Sequence, residues 1–98
     1  MYEVRIYKSA QQDLQDIVDT LNTLSSMTAI NYYDLLVEKI NGLSEMPKRF
    51  ALARDIQLRL RGYRCMSVKK YIVFYVVTES IVQVRRILYG ARHYEDLL

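Results

Sequence analysis

The residues of this 98-residue chain that could do chemistry are cations interleaved with tyrosines, all in its second half: Arg59, Arg61, Tyr63, Arg64, Lys69, Lys70, Tyr71, Arg85, Arg86, Tyr89, Arg92 and Tyr94. Such a set can neutralise phosphates, stack on bases and stabilise the charge of a phosphoryl transition state. It can equally dock an acidic protein or remain as solvated surface charge, and composition alone favours these two. The single histidine, His93, could serve as a general base beside Arg92 and Tyr94, although an exposed structural role is the commoner one. It has no second histidine or cysteine pair with which to hold a metal. Cys65, the one cysteine, reads as a small buried hydrophobe and agrees with a reducing compartment. There is no phosphate-cradling glycine loop and no Ser/His/Asp arrangement. The expectation is therefore no metal, no cofactor and no small-molecule ligand.

The formal net charge of +3 conceals a division along the chain. Residues 1–46 carry three basic and seven acidic groups, a net of −4; residues 47–98 carry eleven basic and four acidic, a net of +7. One surface repels anions and another attracts them, so a polyanion or an acidic protein segment is the natural partner. With 51% hydrophobic and 26% charged residues, the chain has the composition of an ordinary globular domain. Its length allows one core and no second domain. No apolar run approaches a membrane span and the N-terminus lacks a signal-peptide core, which points to a cytoplasmic address and no membrane partner.

The elements that must position these residues centre on Tyr71 to Val77, seven consecutive apolar or aromatic residues read as a strand buried on both faces, in the middle of a sheet. After the polar break Thr78-Glu79-Ser80, Ile81 to Tyr89 forms a hairpin with it. Arg85 and Arg86 interrupt that second run, so one of them must face the side of Val82, Val84 and Leu88 unless a bulge turns it away. Tyr2 to Tyr7 alternates as an edge strand. Ser9 with Gln12 reads as a capping box opening a helix over about Ser9 to Leu24, with Ala10, Leu14, Ile17, Leu21 and Leu24 inward and Asp13, Asp16 and Asp19 outward. A second helix is expected from about Met27 to Met46, stopped by Pro47, with Ile30, Tyr33, Val37, Ile40 and Leu43 as its buried stripe and Tyr32, Leu35 and Leu36 widening it. The two form an antiparallel hairpin lying on the sheet. Lys48 to Asp55 is a basic connector without clear periodicity. Ile56 to Arg61 is apolar on one side and basic on the other, and Gly62 marks a turn or bulge before Tyr63 to Val68. Lys69-Lys70 occupy the tight turn before the central strand, and Ala91 to Leu98 reads as a short terminal turn or helix folding its leucines back.

This order, a strand, a helical hairpin and a three- to four-stranded antiparallel sheet in one α+β domain, resembles the ParE/RelE superfamily of bacterial toxin proteins over essentially the whole chain. The resemblance rests on the opening helix Ser9-Ala10-Gln11-Gln12-Asp13-Leu14-Gln15-Asp16-Ile17, on Pro47 after helix two, on Tyr71 to Tyr75 and on the ending Ile87-Leu88-Tyr89-Gly90-Ala91-Arg92-His93-Tyr94. It implies the toxin of a type II toxin–antitoxin pair, a growth inhibitor neutralised by a cognate antitoxin.

RelE-like members cut messenger RNA on the ribosome with basic residues and a tyrosine, whereas ParE-like members poison DNA gyrase. Carried across residue by residue, the ribonuclease pattern assigns Arg64, Arg92, His93 and Tyr94 as catalytic. Met66 stands where a second basic residue is expected, and Ile72 replaces the arginine of the family's Tyr-Arg-x-x-Tyr strand. These losses in a site that works by converging positive charge place the chain closer to the ParE-like branch. Arg59, Arg61, Lys69, Lys70, Arg85 and Arg86 are then residues for target or antitoxin binding, and a metal-independent ribosome-dependent ribonuclease is the alternative.

Overall fold

The computed structural model describes residues 1–90, which form strand β1 (Glu3–Ile6), helices α1 (Lys8–Asn22) and α2 (Ser26–Asn41), the short helix α3 (Ile56–Leu60) and strands β2 (Tyr63–Val68), β3 (Tyr71–Val77) and β4 (Ile81–Tyr89). The sheet runs in the order β1-β4-β3-β2. β3 is interior, as its unbroken apolar run requires, and Val73, Phe74 and Tyr75 are all fully buried although they alternate between faces. β3 is antiparallel to both of its neighbours, whereas β1 lies parallel to β4, pairing Glu3 with Ile81 and Ile6 with Val84. The sheet is thus mixed and not wholly antiparallel. The hairpin α1–α2 carries the chain away from β1 before the other strands form, and β1 takes the edge that β4 leaves open.

Two apolar clusters lie on opposite faces. The larger joins Leu36, Ile40 and Leu43 from the hairpin region to Met66, Val68, Val73, Tyr75, Val82, Val84 and Ile87 of the sheet. The smaller joins Ala53 and Leu58 to Tyr63, Phe74 and Leu88. Burying a side chain such as Leu36 or Ile40 stabilises the fold by about 1.5–3 kcal/mol each.

Four local expectations change. α1 starts at Lys8 with Tyr7 at the cap position and no side-chain cap, so the Ser9–Gln12 capping box does not form. The Gln11 side chain instead donates to the Ile6 carbonyl. α2 has its side-chain cap at Ser25, whose hydroxyl accepts the Thr28 N–H, and it ends at Asn41, passing through a 3-10 turn, Gly42–Ser44, well before Pro47. Its buried residues are Ala29, Leu36 and Ile40, while Ile30 and Tyr33 are exposed; apolar side chains surround much of this helix, and the sheet takes the side of Leu36 and Ile40. Ile56–Leu60 is a helical turn because the Asp55 carboxylate accepts the Leu58 N–H.

Candidate functional site

The cations are sorted by what the backbone leaves for them to bond. β3 and β4 slip register between Phe74 and Tyr75, so that Phe74 pairs with Arg86 and Tyr75 with Val84. Arg85 is the extra residue of this bulge, which separates the two adjacent arginines from the Val82 and Val84 face. β1 ends opposite Val84, and beyond it the edge of β4 is met by Asp13 of α1. One Asp13 oxygen accepts the Ile87 N–H at 2.9 Å and the Arg86 Nε at 2.7 Å; the other accepts Arg86 Nη2 at 3.0 Å. This two-pronged pair holds the guanidinium charged and raises its pKa, chiefly through the Asp13 hydrogen bond. Asp13 is accordingly half-buried and bonded, not a member of the acidic outer face.

Arg64 is also engaged within the fold. Its Nη1 donates to the carbonyls of Lys48 (3.2 Å) and Phe50 (2.7 Å), and it shares a cross-strand position with Tyr75. The buried Tyr75 hydroxyl donates to the Pro47 carbonyl, and burial pushes its pKa up to about 12 against the opposing pull of Arg64 and Arg49. Arg59 bridges to the Ala53 and Arg54 carbonyls. These three contacts fix the path of the connector between the hairpin and β2.

Guanidiniums and rings form a ladder on the second face of the sheet. The Arg61 guanidinium lies 5.1 Å from the centre of the Tyr63 ring, Arg85 lies 5.8 Å from the same ring, and Arg85 also lies 4.9 Å from the ring of Tyr7. Arg85 Nη1 donates to Gln83 Oε1. The rings attract the cations and hold them in place at about 0.5–1 kcal/mol each. Lys69 and Lys70 are exposed in the β2–β3 turn, where Lys69 takes a positive φ of 55°. Tyr63 pairs with Val76 and Val68 with Tyr71, so that turn is at the opposite end of β3 from the ladder, about 20 Å away for a seven-residue strand. Among the described residues, the basic side chains named from sequence therefore do not converge on one point. Arg92, His93 and Tyr94, and the expected terminal turn, lie outside the described residues. Tyr7 and Gln83 are additions to the set: Gln83 stands two residues before Arg85 on the same strand, a spacing the sequence offers, whereas Tyr7 is brought to Arg85 by the parallel pairing of β1 with β4.

Among the described residues no group of acidic, histidine or cysteine side chains could hold a metal, and no helix is long and apolar enough to cross a membrane. Cys65 is half-buried and its thiol pKa is raised by burial, which disfavours the thiolate.

On the hairpin's outer side, two neighbouring hollows share Val18 and Tyr33. One, of about 270 Å³, is lined by Val18, Asn22, Ser26, Ala29, Ile30 and Tyr33. The other, of about 390 Å³, is lined by Ile6, Gln11, Leu14, Gln15, Val18, Tyr33 and Val37. No charged side chain lines either.

An α+β domain with a helical hairpin on one face of a four-stranded mixed sheet is the fold of a solved structure titled a chromosomal ParDE TA system from P. aeruginosa. The two share a TM-score of 0.77 at 20% identity, over 91% of this chain and 96% of that one. A family model described as the ParE toxin of type II toxin–antitoxin system, parDE, matches residues 4–94, and the chain belongs to this family. No curated protein matches the sequence.

Proposed function

We propose that this toxin-family protein inhibits growth by binding DNA gyrase and is kept inactive by a cognate antitoxin. The observation that carries the reading is the engagement of Arg64 and Arg86. Each guanidinium is bonded within the fold, Arg64 to two carbonyls and Arg86 to Asp13, and a site that cleaves RNA by converging charge has little use for cations already spent on structure. An arginine ladder held against tyrosines suits docking better than proton transfer. The uncharged groove on the outer side of the hairpin, with Ile30 and Tyr33 exposed along it, suits the apolar anchors of an antitoxin helix. Acidic groups of the same antitoxin would face the basic sheet.

The test is supercoiling by purified gyrase with the protein added at stoichiometric concentration. Loss of supercoiling, restored by antitoxin, is the expected result; unaffected supercoiling contradicts the reading. The runner-up, a ribosome-dependent ribonuclease, draws on the ladder of guanidiniums and rings, which could equally grip single-stranded RNA. Intact messenger in a purified translation reaction excludes it.

A further inference from the structure

The segment between the hairpin and β2 is held by more side chains than a connector needs. Arg49 Nη1 donates to the carbonyls of Glu45 and Met46, Arg64 to those of Lys48 and Phe50, and Tyr75 to that of Pro47. Successive carbonyls from 45 to 50, all but that of Arg49, are thus claimed by three side chains, two of them from the sheet. The Arg49 guanidinium also lies 4.8 Å from the centre of the Phe50 ring. Within this frame Met46 adopts a left-handed conformation, φ 48° and ψ 54°, which disfavours any residue with a Cβ. Its side chain is nonetheless 73% exposed. No packing of that side chain accounts for a methionine where glycine or asparagine would sit without strain. A strained, exposed apolar residue on a rigid support has the character of a contact that awaits a partner.

We infer that the loop Glu45–Leu52 is a preformed contact element for an acidic protein surface, with Met46 as its apolar anchor and Lys48 as its charge. Leu52 is exposed in the same loop, and the exposed Lys48 side chain makes no hydrogen bond or ion pair among the described contacts. Exposed methionine and leucine gain nothing from phosphates, whereas methionine and arginine are enriched in protein interfaces. The guanidiniums of Arg49 and Arg64, which would have strengthened a phosphate grip, are turned to the loop's own carbonyls. An apolar anchor with a cation two residues away is complementary to a hydrophobic pocket rimmed by carboxylates. Holding the loop rigid before the encounter lowers the entropy lost on binding. This inference rests on the toxin reading above for its target, although it does not depend on the target being gyrase.

The experiment compares the full-length parent with Met46→Gly and Lys48→Glu in three measurements: thermal melting, growth arrest on induction in a bacterial host, and binding of a single-stranded oligonucleotide of about 20 nucleotides. Glycine accepts the left-handed conformation, so Met46→Gly should melt at or above the parental temperature while needing at least about tenfold more inducer to arrest growth, equivalent to about one interface hot spot. Lys48→Glu should melt like the parent and lose arrest in the same way, with oligonucleotide binding unchanged. Arrest at parental inducer levels by both folded variants overturns the proposal. Loss of oligonucleotide binding in parallel with arrest overturns it in favour of a nucleic-acid contact. A parent that never arrests growth overturns the toxin reading itself and this inference with it, a result distinguishable because no variant is needed to see it.

Discussion

On the hairpin side of the sheet, Val73, Tyr75, Val82, Val84 and Ile87 meet Leu36, Ile40 and Leu43 in a cluster that holds the bonded Tyr75 hydroxyl; on the other side, Phe74 and Leu88 meet Ala53, Leu58 and Tyr63, with Cys65, Ile72 and Val76 only partly buried around them and arginines at the margin. Both faces come from the same strands by alternation. The first is closed by two long helices and can be apolar throughout. The second is covered by a five-residue helix and a loop, so its margin must be polar, and it carries Arg61 and Arg85 against Tyr63 and Tyr7. The difference separates the part of the molecule that holds the fold together from the part available for recognition. Cations at the junction of the two, Arg64 and Arg86, serve the fold.

The two faces should differ most at Leu36. Leu36→Ala removes a side chain with no exposed surface from between the hairpin and the sheet, and should cost about 3–4 kcal/mol in urea unfolding; Leu58→Ala, in the smaller cluster where a short helix can settle inward, should cost about 2 kcal/mol. Equal losses would mean that the two clusters are one core.

Asp13→Asn tests the junction. It removes a charge partner from Arg86 and weakens the acceptor for Ile87 N–H, with an expected loss of about 2–3 kcal/mol and earlier exchange of the Ile87 amide.

Tyr75 gives a pH signature. Its folded pKa, about 12, lies above the ordinary value of 10, so the neutral phenol is favoured in the fold. Stability from this shift is fully present below pH 10 and is lost as pH rises from 10 through 12, by on the order of 2 kcal/mol. Tyr75→Phe should lower stability at neutral pH by leaving the Pro47 carbonyl unbonded, and should flatten the alkaline loss. An alkaline profile identical to the parent's would place the titration elsewhere, at Tyr71 for example, whose pKa is also raised by burial.

The smallest expected effect is at the recognition face. Arg85→Ala should cost no more than about 1 kcal/mol, since its contacts are two ring faces and one amide, while weakening growth inhibition markedly. Parental inhibition by that variant would remove the ladder from the account.

Much of this division was legible from residue types. Tyr71 to Val77 has too many consecutive apolar side chains for anything but an interior strand, and two adjacent arginines in an apolar run forced the choice between a buried charge and a bulge, which the register shift at Phe74 and Tyr75 resolves. The parallel pairing of β1 with β4 was not legible, because nothing in four alternating residues specifies which distant edge they will meet. Ile40 and Leu43 of the expected α2 stripe and the flanking Leu36 are buried, whereas Ile30 and Tyr33 are exposed, because they are as apolar as their neighbours and nothing in the sequence marks where the cover of the sheet ends. The roles of Arg64 and Arg86 were hidden for a different reason. A guanidinium bonded to a carbonyl and one held out to solvent are written with the same letter, and their partners, Phe50 and Asp13, are 14 and 73 residues away.

The proposed function has this protein bind a target without cutting RNA. It is tested most directly by inducing the protein without antitoxin in a bacterial host and labelling DNA synthesis and translation in parallel. Arrest of DNA synthesis first, with a rising damage response, is the predicted result. Arrest of translation within minutes while DNA synthesis continues would contradict it and return Arg64, Arg92 and Tyr94 to the role of an active site.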